Sequence, residues 1–169
     1  VRSWDAETCK LYRVLNSSFG RFLGFTPVSP LEFGRLFAGG RPGLHPGLSF
    51  FAYNEYGELA GFAAAFVDLG AAVRAMRGRQ DWPARLRFLR ARQRAHRINF
   101  FLGGITPQEE ARGTGLGRAG FYHVIQGLLD LGYESLVLSL RLKGNPSRGL
   151  ASRFAPCPQR EYALYELEL

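Results

Sequence analysis

Apolar residues recur at helical spacing at Leu11, Val14, Leu15 and Phe19, which predicts a helix over residues 5–19. A Gly- and Pro-rich loop, Gly20 to Ser29, follows. Pro30 opens a second helix with Ser29 as its N-cap, Phe33, Leu36 and Phe37 on one face, and Gly39-Gly40 at its end. Residues 41–47 read as a loop. Leu48 to Tyr53 and Leu59 to Val67 are apolar runs on either side of the turn Asn54-Glu55-Tyr56-Gly57-Glu58, the pattern of a β-hairpin. Gly70 to Arg97 interrupts this order. Its second half reads as a helix opening near Asp81 and Pro83, with Leu86 and Leu89 on one side and Arg nearly everywhere else. Asn99 to Ile105 is a strand, Gly115 to Leu131 a helix and Leu136 to Leu140 a short strand. Pro146 to Phe154 is a short helix preceded by Asn145. Tyr162 to Leu169 alternates apolar and polar residues, as an edge strand does. Hairpin and crossovers together predict an α/β (α+β) mixed sheet with helices on its faces.

The chain has 169 residues, 46% of them apolar, which fits one domain, 1–169, with a sizeable core. The longest strongly apolar stretch, Phe62 to Leu69, is too short to span a bilayer, and no membrane partner is expected. No signal-peptide pattern stands at the start, and the sequence begins at Val1 rather than Met. Cys9 and Cys157 form neither a CxxC nor a metal-ligand spacing, and His45, His96 and His123 are scattered. Neither a metal nor a disulfide framework is expected, in keeping with a reducing cytoplasm.

The net charge of +8 is local: residues 71–97 hold nine arginines against one acid, Asp81, so the rest of the chain is neutral. That weakens a nucleic-acid role for the whole domain and isolates the segment 74–97 as the feature to explain. Lys10 and Lys143 are the only lysines, so the segment's cations are bidentate, permanently charged donors. A solvated amphipathic helix over the sheet edge, a site for an acidic acceptor or for cofactor phosphates, and a docking face for an acidic partner all remain open.

The run Arg112-Gly113-Thr114-Gly115-Leu116-Gly117 carries the clearest chemistry. It lies between an apolar strand and a helix, where backbone N–H groups at a helix N-terminus face an anion and glycines let that anion approach. Gly115, Gly117 and Gly120 match G-x-G-x-x-G, but about ten residues, including Pro107, separate them from the strand, and a dinucleotide fold turns directly. No Lys-Ser/Thr follows, so the Walker pattern is absent.

The spacing Arg112-x-x-Gly115-x-Gly117 resembles the [Q/R]-x-x-G-x-[G/A] hallmark of the GNAT superfamily of N-acyltransferases. The likeness extends in order over most of the chain: two N-terminal helices, the hairpin 48–67, the strand 98–105, the motif helix, the strand 136–140 and an Asn opening the next helix. It implies a mostly antiparallel sheet splayed between the strands 98–105 and 136–140, the family's fourth and fifth. It also implies acetyl-CoA, or another acyl-CoA, as co-substrate, with the pyrophosphate on the N–H groups of Gly113, Thr114, Gly115, Leu116 and Gly117 and with Arg112 and Gly104 in the binding set. Gly103-Gly104 stands where the family carries a bulge, unless it is simply a close-packed strand. Ile105 would offer its N–H to the acyl carbonyl, and Asn145 would contact the pantetheine or thioester.

Amine attack on a thioester needs a base and an acid. Where many members carry a Tyr this chain has Ser152, and where many carry an early carboxylate in the fourth strand it has Asn99. Asp68, Tyr162 and Tyr165 are the remaining candidates, each with an ordinary structural alternative. Gln108, Glu109 and Glu110 are expected in a solvated loop. The acceptor is an amine of open identity, small-molecule or peptide, and a homodimer through the last strand is open. The competing functions are a non-catalytic GNAT-like module that binds acyl-CoA or a protein, and a basic interaction domain with no CoA site. The basic insert and the ending around Glu161-Tyr162 loosely resemble a bacterial branch of the superfamily.

Overall fold

In the computed structural model, residues 4–20, 25–40, 43–138, 148–154 and 160–163 are described. They fall in two compact units, Val1–Ser139 and Leu140–Leu169. The first begins with helices α1 (Trp4–Phe19) and α2 (Pro30–Gly40) and the hairpin β1 (Phe50–Tyr53) and β2 (Leu59–Val67). Two helices, α3 (Gly70–Ala75) and α4 (Trp82–Gln93), precede β3 (Arg97–Ile105). A short α5 (Pro107–Arg112), the long α6 (Leu116–Asp130) and β4 (Ser135–Leu138) complete it. In the second unit the described helix is α7 (Arg148–Ala151).

The sheet has the order β1-β2-β3-β4, antiparallel through β3 and parallel between β3 and β4. This is the mixed sheet that the alternation of elements predicts, mostly antiparallel as the resemblance implies. Its core is Leu48, Ala65, Ile98 and Leu128, with Val67, Phe100, Tyr133 and Leu136 packed against them. Val124 and Leu128 are the buried face of α6. The opposite face is covered by α1, whose Ser18 and Phe19 lie against Gly104. Burial of these side chains stabilises the layers by roughly 25 cal/mol for each Å² removed from water.

Pairing of β3 with β4 runs from Arg97↔Ser135 to Phe100↔Leu138. The expected splay lies beyond that point, at residues 139–147, outside the described residues, and so does Asn145. Residues 160–163 are not in a strand, and the rest of the expected final strand, with Tyr165, is also outside them.

Three local expectations are corrected. The β3 bulge is not at Gly103-Gly104. Ala64 faces Leu102 and Ala65 faces Phe100, so Phe101 is the extra residue. The glycines serve close packing: a Cβ at Gly103 would stand 2.6 Å from the Phe100 ring, and one at Gly104 3.2 Å from Phe19. Residues 107–112 form a helix rather than a loop. Pro107 stands at its start and Gly113 follows its end at φ 62°, the arrangement that bounds a short helix. Leu36, expected on the apolar face of α2, is exposed, while Phe33 is buried and stacks on Phe37 at 4.3 Å.

Candidate active site

The end of β3 and the start of α6 meet at Ile105 and Gly117. The Ile105 Cδ1 methyl is 3.8 Å from where a Gly117 Cβ would stand, with no other atom within 4 Å. Between them the chain turns twice through the left-handed region, at Gly113 (φ 62°) and Gly115 (φ 74°). Both positions face open space, so glycine is required there by backbone conformation rather than by crowding. Gly115 is the N-cap of α6 and supplies no side chain to it. The first intrahelical bond is Ala119 N–H to Gly115 C=O, at 3.0 Å. The N–H groups of Leu116, Gly117 and Arg118 precede that bond and point out of a fifteen-residue helix. The result is an exposed cradle of donors carrying the positive end of the helix dipole.

The register of β3 fixes where Ile105 points. Thr106 N–H donates to Ala60 C=O at 2.8 Å, and Gly61 faces Ile105. In an antiparallel ladder this makes Gly61↔Ile105 a non-hydrogen-bonded pair. The N–H and C=O of Ile105 therefore turn away from β2, and the C=O accepts from Ser18 Oγ at 2.9 Å. Gly104, by the same alternation, is bonded to Phe62 and turns toward α1.

Arg112 points elsewhere. Its guanidinium donates to Glu109 Oε1 at 3.0 Å and lies 5.9 Å from the Tyr56 ring centroid. Glu109 is only 5% exposed and also receives Asn54 Nδ2 at 3.4 Å. The expected solvated loop is thus half wrong: Glu110 is exposed, but Glu109 is a buried clasp between α5 and the hairpin turn. Asn54 also accepts from the N–H groups of Tyr56 and Glu58, so one side chain shapes the turn and ties it to α5. The Pro107 and Gly113 signals mark that helix in the sequence, whereas nothing local marks Asn54 or Ser18 as partners of the site.

A cleft of about 650 Å³ lies beside this clasp, lined by Lys10, Arg13, Tyr53, Glu58 and Thr106 among others. Lys10 Nζ donates to the Tyr53 hydroxyl at 3.1 Å. That bond raises its pKa above the ordinary lysine value, with Glu7 adding to the effect.

Asp68 leaves the site. Its Oδ1 accepts from Gly70 N–H at 2.9 Å, capping the turn into α3, and its Oδ2 is 3.9 Å from Arg97. It follows Val67, which pairs with Ile98, whereas Ile105 pairs with Gly61, so Asp68 is at the opposite end of the sheet. Asn99 pairs with Phe66 and Val137 near that end too. In the second unit, Ser152 Oγ donates to Gly149 C=O at 3.1 Å and Tyr162 is exposed. Among the described residues no group of His, Cys, Asp and Glu could hold a metal, and no helix is long and apolar enough to cross a membrane.

No family model matches the chain, and no curated protein matches it in sequence. Its fold, however, is shared with solved acetyltransferases. A ribosomal-protein-alanine N-acetyltransferase from Brucella melitensis superposes with a TM-score of 0.57 at 16% identity, over 90% of this chain and 80% of that one. An aminoglycoside acetyltransferase from an uncultured soil metagenomic sample, solved with sisomicin, gives 0.56 at 10% identity over 98% and 90%. AAC(6')-Iy, solved with the bisubstrate analogue CoA-S-monomethyl-acetylneamine, gives 0.54 at 13% identity over 97% and 93%. The architecture is that of the GNAT acetyltransferases.

Proposed function

We propose that this chain is an N-acetyltransferase that moves an acetyl group from acetyl-CoA to a primary amine by direct attack. The observation that carries the proposal is the pairing of the N–H cradle at Thr114–Gly117 with Ile105, whose own N–H turns away from β2. The solved neighbours of this fold support it, since their names describe acetylation of a ribosomal-protein alanine and of aminoglycosides, and one holds a CoA conjugate.

Acetyl-CoA supplies an acyl carbon activated as a thioester. The chain's own groups do the rest. The Leu116 and Gly117 N–H groups, with those of Thr114 and Gly115, bind the pyrophosphate, aided by the α6 dipole, whereas the Gly113 N–H, expected among them, donates to Glu110 C=O at 3.1 Å and closes α5. The Ile105 N–H donates to the acyl oxygen as negative charge develops on it. Arg112 acts indirectly, holding the loop through Glu109 rather than reaching the anion. Asn145 is the proposed contact to the pantetheine. The attacking amine needs its proton removed and the departing thiolate needs one; Ser152 and Tyr162 are the side chains offered for these roles, with a water chain as the alternative base.

The test has two stages. Acetyl-CoA must first raise the melting temperature, because a ligand that binds only the native state stabilises it. Release of free thiol is then followed with a panel of amino acids, peptides, polyamines and aminoglycosides. No shift at about 1 mM acetyl-CoA, where a ligand with a Kd a hundredfold lower adds about 2.7 kcal/mol, removes the proposal. A shift without thiol release on any amine leaves the acyl-CoA-binding module instead.

A further inference from the structure

The arginine-rich excursion between β2 and β3 ends in a helix whose apolar stripe faces solvent. In α4, Asp81 accepts from Ala84 N–H at 2.9 Å and fixes the start of the helix. Its inward side carries Ala84, fully buried, and Arg87, whose Nε donates to Ala75 C=O of α3 at 3.1 Å. The outward side carries Trp82, Leu86 and Leu89, at i, i+4 and i+7, with exposures of 79%, 45% and 49%. Arg85 and Arg92 border the stripe on one side and Arg90 on the other, all exposed. Between Trp82 and Arg97 there is no acid. Periodicity puts Leu86 and Leu89 on one side of the helix; the structure leaves that side exposed.

We propose that this face of α4 lies on an anionic lipid surface. Ala84, Phe88 and Ala91 make the packed side apolar too, so the pattern belongs to the outward side of the helix alone: there Trp and Leu lie along one line with guanidinium groups on both flanks, offering apolar groups to the acyl boundary and arginines to phosphate. Two arguments select this occupant. A second copy on the same face would set arginines against arginines. The positive charge continues beyond the stripe, through Arg74, Arg77 and Arg94, all exposed, which suits a diffuse negative plane better than a partner with a bounded acidic rim. The excursion leaves the sheet where Val67 and Ile98 pair, roughly 20 Å along β3 from Ile105, at the opposite end of that strand from the Gly113–Gly117 loop. The short apolar runs rule against spanning, on which the expectation of no membrane partner rested; lying on the surface asks for a stripe only.

The experiment is co-sedimentation of the whole chain with vesicles of phosphatidylcholine containing about 30% phosphatidylglycerol, against pure phosphatidylcholine, with rising salt. Binding to the anionic vesicles that weakens with salt is expected, and each of Arg85→Gln and Arg92→Gln should lower affinity about fivefold. In a Trp4→Phe background, the emission of Trp82 should shift to the blue on binding. The variant Trp82→Ser/Leu86→Ser/Leu89→Ser keeps every charge and removes only exposed groups; it should lose vesicle binding while retaining its far-ultraviolet circular dichroism and melting temperature. Absence of binding to anionic vesicles overturns the proposal. So does undiminished binding by the triple-serine variant, or stripe-dependent binding to polyuridylate in place of vesicles.

Discussion

Ser18 donates its hydroxyl to the main-chain carbonyl of Ile105 at 2.9 Å, tying the last turn of α1 to the end of β3. The approach is close because position 104 is glycine: a Cβ there would stand 3.5 Å from Ser18 Cβ and 3.2 Å from Phe19. The bond holds the residue whose N–H is proposed to meet the acyl oxygen. Ser18→Ala should cost about 1 kcal/mol in stability. With the fold intact, it should lower kcat while leaving acetyl-CoA affinity near its parent value, since the pyrophosphate cradle is untouched. Calorimetric titration with acetyl-CoA beside steady-state thiol release checks the split; equal loss in both would place Ser18 in general folding instead.

The cradle makes a sharper prediction at Gly117, which is helical and has one neighbour near its missing Cβ, at 3.8 Å. Gly117→Ala removes a poor helix former and should keep or raise stability, by up to about 1 kcal/mol. Gly117→Asp keeps the space but sets a carboxylate at the anion site. Acetyl-CoA affinity should fall modestly in the first and vanish in the second, while both variants melt cooperatively. Thermal shift with and without acetyl-CoA measures both quantities at once. Retained binding in Gly117→Asp would move the pyrophosphate away from this loop.

Glu109 and Arg112 form a partly buried pair, with side-chain exposures of 6% and 52%. Removing Arg112 leaves a buried carboxylate whose remaining partner among the described residues is the Asn54 amide at 3.4 Å. Arg112→Ala should therefore cost about 1–3 kcal/mol. Glu109→Ala loses the bonds to Arg112 and Asn54 and should also destabilise, and the double variant should cost less than the sum of the two, because loss of Arg112 strands a carboxylate only while Glu109 is present, whereas the half-exposed guanidinium stays solvated. Denaturant unfolding of the four proteins gives the coupling; strict additivity would show the pair to be incidental. Both single variants should also loosen the loop that follows α5 and weaken acetyl-CoA binding.

The order of elements was legible because each carries its own signal. Ser29-Pro30 marks the start of α2, Asn54 and Gly57 mark the hairpin, and Asp81-Trp82-Pro83 marks α4. The motif 112–117 was legible as well, since glycine spacing before a helix has few other uses. What failed to show were relationships across sequence distance. The bulge at Phe101 depends on the pairing of β3 with β2, and the glycines beside it drew attention for a different reason, the ring of Phe100. Asp68 stands at the end of a strand and so suggests a site, but antiparallel pairing puts the end of β2 opposite the start of β3. Glu109 is read as solvated from its acidic neighbour Glu110, and only the fold brings Asn54 and Arg112 onto it. Helical periodicity gave α4 an apolar side without saying that α3 would cover the other one.

The N-terminus of α2 offers a prediction about pH. Glu32 accepts from both the N–H and the hydroxyl of Ser29, at 2.8 and 2.7 Å, and Ser29 Oγ in turn accepts from Glu32 N–H at 3.3 Å, a reciprocal cap. These bonds favour the charged carboxylate and hold its pKa below the ordinary glutamate value, the hydroxyl contributing most. A lowered folded-state pKa means that the unfolded chain takes up the proton first as pH falls. The contribution is therefore complete above the unfolded pKa of about 4.3 and is lost as pH drops through the lower folded value. Glu32 is fully exposed, so salt should shrink the effect. Glu32→Gln can keep the bonds without the charge. Its melting temperature should fall slightly below the parent's at neutral pH and converge with it in acid, whereas Ser29→Ala, which removes the cap itself, should melt about 2–4 °C lower. Melting curves of the three proteins from neutral pH into the acid range test this. A gap between parent and Glu32→Gln that widens as pH falls would reverse the assigned sign.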